Sequence, residues 1–182
     1  EGQQYDMDFE SLNEVSIDQY IEMIRLKTAV LLGGSLKMGA IIGGANESDA
    51  QHLYDFGVNL GVAFQLQDDI LDVFGDADKF GKQVGGDILS NKKTYLLLTA
   101  LNKAQGATKD SLLQWINTSD KPQEKVIAIT NIYNSLNVRE VAEEKMNEMY
   151  RIALSHLESI PVLDANKQPL KDLAASLMVR QN

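Results

Sequence analysis

The sequence predicts an all-α fold, a bundle of helices in a single domain. Apolar residues recur at three- and four-residue spacing through most of the chain, and no useful length alternates with period two. There are only three prolines, two of which, Pro122 and Pro169, stand where a first helical turn would begin. With 182 residues, 44% of them hydrophobic, the chain can bury a substantial core.

In chain order, Ser16-Ile17-Asp18-Gln19 reads as a capping box. From it a helix runs through Tyr20, Met23, Ile24, Lys27, Val30 and Leu31. Gly33-Gly34 interrupts or kinks it, the apolar pattern resumes to Ile42, and Gly43-Gly44 ends it. Ser48 caps the next helix with Asp49 in its first turn, and this helix should end near Gly75. Residues 75–91 form the longest loop-like stretch, a length that points to function or disorder. Helices follow at about 92–105, 109–118, 122–136 and 138–160, with Pro122 at a start and Asn137 as a break; Pro169 opens a last helix ending near Val179. Gly57 and Gly61 are expected to permit close helix packing. Met23, Met38 and Met146 are expected in the core.

Composition excludes several classes of function. The absence of cysteine removes disulfides, zinc-thiolate sites and thiol nucleophiles, and fits a reducing compartment. A net charge of −9 argues against nucleic acid as a partner. No apolar run reaches the roughly 18 residues a membrane span requires. His52 and His156, more than a hundred residues apart, read as surface or packing residues, and no zinc motif is present.

The stretch Phe64-Gln65-Leu66-Gln67-Asp68-Asp69-Ile70-Leu71-Asp72 is where chemistry concentrates. Asp68 and Asp72 lie one helical turn apart on one face, with Asp69 beside them. No Lys or Arg occurs between Leu60 and Asp78, so nothing local neutralises three carboxylates set in an apolar run. Such a helix calls for a cation or a protonation event. Mg²⁺ suits the pattern, because it is held by one or two carboxylates and completes its shell with water and substrate phosphates. Phosphates in turn call for lysines. Lys82 and Lys92 follow in or after the loop, with Asp87 between them, and Lys27-Thr28 lies on the earlier helix. On periodicity alone, Lys27 could equally snorkel from a mostly apolar face.

Taken together, these residues resemble the C-terminal half of the trans-isoprenyl diphosphate synthases, or polyprenyl synthetases, which include farnesyl and geranylgeranyl diphosphate synthases. Phe64 to Asp72 is similar to the family's Phe-Gln motif running into its second aspartate-rich motif. Gly81-Lys82, Gly86-Asp87 and Asn91-Lys92 resemble the loop after it, Lys27-Thr28 the Lys-Thr pair, and Gly2-Gln3-Gln4-Tyr5-Asp6 the Gly-Gln-x-x-Asp segment. The resemblance implies the isoprenoid synthase helical fold, with residues 1–182 as the C-terminal part of one domain. It also implies a prenyltransferase that condenses an allylic diphosphate with isopentenyl diphosphate and releases diphosphate. Carried over by motif, Asp68 binds magnesium with Asp72 in support and Asp69 behind them, and Asp87 binds metal through water. Lys27, Lys82 and Lys92 bind the allylic diphosphate, with Thr28 beside Lys27. Phe64 and Gln65 face the isopentenyl substrate, and Gln3 and Asp6 line the allylic pocket. A cytoplasmic homodimer is the form expected of such an enzyme.

The family's first aspartate-rich motif has no counterpart in the sequence, which reads as a fragment expected to be inactive alone. Two other readings share part of the pattern. A terpene cyclase would use magnesium and diphosphate, usually with a second motif rich in Asn, Ser or Glu. A non-catalytic small subunit would tend to lose aspartates that this chain keeps.

Overall fold

Every regular element is helical in the computed structural model, which describes residues 1–12, 14–75 and 85–179, and no strand occurs among the described residues. Helix α1 (Gly2–Ser11) was not anticipated from the sequence, and helix α2 (Ile17–Ile24) opens with the expected capping box. The Ser16 hydroxyl accepts from the Gln19 amide, while the Gln19 side chain accepts from the Ser16 amide.

The irregularity in the next stretch falls earlier than the glycines suggest. Residues Arg25–Ala29 form a π-helical turn, and α3 (Val30–Ile42) carries Gly33-Gly34 in its interior. Backbone proximity supplies a physical account. A Cβ on Gly2 would overlap the Lys27 amide nitrogen and lie 2.5 Å from the Leu26 carbonyl carbon, so the start of α1 rests directly on the widened turn. Gly33, Gly57 and Gly61 serve close crossing instead. A Cβ on Gly57 would come within 2.8 Å of the Gly33 Cα, and one on Gly61 within 2.7 Å of the Ala29 Cα.

Helix α4 (Glu47–Phe74) spans 28 residues, about 42 Å at 1.5 Å per residue. Its cap is Asn46, whose side chain accepts from the Asp49 amide at 2.9 Å, so Ser48 lies within the first turn rather than before it. The helix ends at Gly75 as expected. The remaining elements are α5 (Gly86–Leu89), α6 (Tyr95–Lys103), α7 (Gly106–Ile116), α8 (Pro122–Ser135), α9 (Val138–Glu158) and α10 (Asp164–Met178). Asn137 breaks α8 from α9 with a left-handed backbone, φ +50°. Pro169 does not open α10; it lies inside a helix that begins at Asp164. The first turn there is anchored by buried Lys167, which donates to the Glu158 carbonyl and carboxylate.

Helix α4 is the spine, with α3 along one side and α9 along the other. It feeds two apolar clusters, one with Tyr20, Ile24, Leu66, Leu96 and Leu112, the other with Phe56, Leu60, Leu157 and Ala174. Helix α6 buries six successive residues, Tyr95 to Ala100, and so is surrounded on all sides. Met23 is in the core and Met146 packs against it, whereas Met38 is exposed on the outer face of α3. The two histidines meet across the α4–α9 seam, Nδ1 to Nδ1 at 3.3 Å. No helix among the described residues is long and apolar enough to cross a membrane.

Candidate functional site

The end of α4 presents its three aspartates to three different surroundings. Asp68 is exposed. Asp69 is buried, and its Oδ2 accepts from the Tyr20 hydroxyl at 2.5 Å and from the Tyr95 amide at 3.3 Å. Burial pushes its carboxyl up to about 7, against the pull of the Tyr20 hydrogen bond. Asp72 is half-buried. Its Oδ2 accepts from the Asp87 amide at 2.9 Å, and its backbone carbonyl accepts from the Gly85 amide at 2.6 Å. Burial again raises its pKa, partly offset by that amide.

Asp72 therefore holds the first turn of α5, and α5 positions Asp87. Gly85 is left-handed at φ +88°, a conformation glycine adopts freely. The Asp87 carboxylate stands 3.4 Å from the Lys92 ammonium. Burial works against that ammonium, but the charges of Asp87, Asp69 and Asp6 outweigh it and raise its pKa. Asn91, immediately before, is also left-handed, at φ +53°.

Lys27 leaves the π-helical turn and pairs with Asp6 of α1 at 2.6 Å. It does not merely snorkel. Both side chains are only part-exposed, and a hollow of about 340 Å³ runs from Asp6 to Lys92 past Phe9, Met23, Asn91 and Lys93. Asp6, the partner of Lys27, and Lys92, the partner of Asp87, thus line one hollow. A larger hollow of about 920 Å³ between Glu14, Val15, Leu97 and Leu113 includes none of the aspartates.

Of the other residues singled out from the sequence, Gln3 is exposed on α1, and Thr28 is half-buried beside Lys27. Phe64 and Gln65 are half-buried on α4, one turn before Asp68 and Asp69. Lys82 lies outside the described residues. Sequence reasoning missed Tyr20, the hydroxyl that secures Asp69, because its apolar spacing marks it only as core. It also missed Lys125 of α8, which is 3% exposed and reaches the Asn91 side chain.

The donor set suits a hard, oxygen-seeking cation. Asp68, Asp72 and Asp87 offer only carboxylate oxygens, and burial, which raises the pKa of Asp72, makes its charged form one that a nearby cation would favour. Among the described residues no three ligating side chains converge on one point. A cation there would keep open positions for water or for ligand oxygens, as Mg²⁺ does.

Comparison with known proteins follows the same lines. The family model described as polyprenyl synthetase matches residues 1–135. A short chain isoprenyl diphosphate synthase of Methanothermobacter thermautotrophicus is 34% identical over 183 aligned residues, covering 100% of this chain and 55% of that protein. A geranylgeranyl diphosphate synthase of Saccharolobus solfataricus is 33% identical, covering 100% of this chain and 54% of its own length. Among solved structures, a geranylgeranyl pyrophosphate synthase from Corynebacterium glutamicum, complexed with isoprenyl diphosphate and magnesium, superposes with a TM-score of 0.88 at 31% identity. It covers 98% of this chain and 51% of that one. The chain spans about half the length of the curated relatives it matches.

Proposed function

We propose, because this chain belongs to the polyprenyl synthetase family, that the protein carrying it is a prenyltransferase. It joins an allylic diphosphate to isopentenyl diphosphate and releases diphosphate, with residues 1–182 forming part of a single all-α domain. The observation that carries this reading is the run of contacts from Asp72 through the Asp87 amide to the Lys92 ammonium, with a hollow between Lys92 and Asp6, the partner of Lys27.

Lys27 and Lys92, with Lys82, receive the diphosphate of the allylic substrate, and Thr28 supports it beside Lys27. In the free protein both described lysines hold part-exposed carboxylate partners. Such pairs are worth only about 0–1 kcal/mol, so a diphosphate with more charge can displace them. Gln3 and Asp6 line the allylic pocket, and Phe64 and Gln65 face isopentenyl diphosphate. The allylic C–O bond breaks, its electron pair leaves on the diphosphate, and the lysines stabilise the growing negative charge. The double bond of isopentenyl diphosphate then attacks the allylic carbon. Loss of a proton completes a product five carbons longer.

Held by Asp68 with Asp72 in support, and by Asp87 through water, magnesium would supply charge neutralisation for the leaving diphosphate. The magnesium in the Corynebacterium relative supports that assignment. Asp69 holds its place behind them through Tyr20. The protein is expected to act in the cytoplasm as a homodimer, and residues 1–182 alone are expected to be inactive. The test is incorporation of labelled isopentenyl diphosphate by the protein carrying this chain, with Asp68→Ala beside it. Magnesium-dependent incorporation falling by several orders of magnitude in the variant is expected. Activity within about tenfold of the parent, about 1.4 kcal/mol, would overturn the role given to Asp68.

A further inference from the structure

Lys125 lies on α8, away from the aspartates, yet it is only 3% exposed. Its ammonium donates to three oxygens: the Asn91 side chain at 2.7 Å, the Ile116 carbonyl at 3.1 Å and the Thr118 carbonyl at 3.2 Å. None is a carboxylate, and among the described residues none stands within ion-pair distance of it. A buried cation held only by neutral oxygens is costly compared with an aliphatic chain of the same length. Two of its partners terminate α7, where the helix dipole favours a cation. They explain how the charge is tolerated, but not why the ammonium also reaches Asn91.

The third partner gives the reason. Asn91 has a left-handed backbone, which L-residues adopt only when held there. Asn is among the residues that tolerate it best, often by bonding locally to its own backbone. Here its side-chain oxygen is committed to Lys125. The corner it makes is closed by the Asn91 amide on the Ile88 carbonyl at 3.2 Å and by the Lys92 amide on the Asp87 carbonyl at 3.0 Å. The direction in which Lys92 leaves that corner toward Asp87 is therefore set by the residue that Lys125 grips.

We infer that Lys125 is a positioning residue for the reaction, fixing the Asn91 corner from behind so that Lys92 presents its ammonium to the diphosphate of the allylic substrate. The inference rests on the role proposed above for Lys92. A purely structural Lys125 would tie α7 to α8 and affect stability alone.

The experiment uses the protein carrying this chain and compares Lys125→Met, Asn91→Gly, their double variant and Lys92→Ala. KM for each diphosphate is measured separately, alongside the thermal midpoint. Asn91→Gly keeps the left-handed backbone without the grip and remains informative if Lys125→Met folds poorly. Both single variants are expected to raise KM for the allylic diphosphate about tenfold, a small misplacement cost. KM for isopentenyl diphosphate should stay within twofold. The double variant should be no worse than the poorer single, as for two residues acting through one contact. Additive effects, or an unchanged allylic KM in folded variants while Lys92→Ala raises it, would overturn the positioning role alone. An unchanged allylic KM in Lys92→Ala would overturn the role of Lys92, and that of Lys125 with it.

Discussion

Replacing Asp69 with Asn tests the electrostatics of the aspartate helix without reference to turnover. Burial moves the Asp69 carboxyl from its usual 3.8 to about 7. The folded protein therefore keeps a proton, between pH 4 and 7, that the unfolded chain has lost. Stability is highest below the lower value, falls as pH rises between the two, and is flat above the upper one. At 1.36 kcal/mol per unit, the full cost of ionising Asp69 is about 4 kcal/mol and is present above pH 7. Asn removes the titration and leaves an oxygen for Tyr20 and the Tyr95 amide. Urea unfolding of parent and variant, in chelator, gives a stability difference at each pH in which contributions common to both cancel. An acidic chain of net charge −9 loses solubility as it nears neutrality below about pH 5, so the working range begins at about 5.5. Between there and pH 7 the variant should gain about 2 kcal/mol relative to the parent, with little change beyond pH 8. A difference that stays level from pH 5.5 to 8 would show that Asp69 is not held protonated by burial, and the account of its environment would fail.

Further outcomes follow from the same geometry. Tyr20→Phe removes the hydroxyl that favours ionised Asp69; it should destabilise by about 1.5–3 kcal/mol, more at pH 8 than at pH 6, in the same unfolding assay. Gly61→Ala drives a methyl group toward the Ala29 Cα and should cost about 1–3 kcal/mol. Gly39→Ala, with open space around the new methyl, should gain about 0.4–1 kcal/mol, and equal thermal shifts in the two variants would contradict the crossing described. Lys27→Ala breaks a part-exposed pair with Asp6 and should change stability by under about 1 kcal/mol; its effect should appear in KM for the allylic diphosphate, and a large loss of stability with unchanged KM would place Lys27 in the scaffold instead.

What could be read in the sequence was whatever depends on local chemistry. The start of α8 at Pro122 and the break at Asn137 each follow from one residue's backbone preference, and the end of α4 falls at Gly75, a poor helix former. The capping box at Ser16 needs only four residues. The apolar frame around Asp68–Asp72 likewise announced carboxylates short of partners. What escaped depends on contacts distant in sequence. The π-helical turn has no local signature; its position coincides with the seat of Gly2 on Leu26 and Lys27. Met38 has a core residue's pattern, but its side of α3 is uncovered among the described residues. Asn46 and Ser48 are both good caps, and only backbone geometry chose the first. Pro169 has the pattern of a helix start, and the anchoring of the preceding turn by Lys167 cannot be seen in one dimension. Tyr20 and Lys125 reach the site from 49 and 34 residues away, a reach that no spacing rule anticipates.

The widened turn at Arg25–Ala29 also gives the chain one place where its count can change. A π turn holds one residue more than the α-helical turn it replaces, so removing one residue there would let the segment rewind as ordinary α-helix while the helices on either side keep their phase. Removing one from the interior of α3 would instead turn what precedes it by about 100°, swinging Tyr20 away from Asp69 and Lys27 away from Asp6. A single-codon deletion within these five positions should therefore be tolerated better than one in α3, at the cost of the seat on which Gly2 rests.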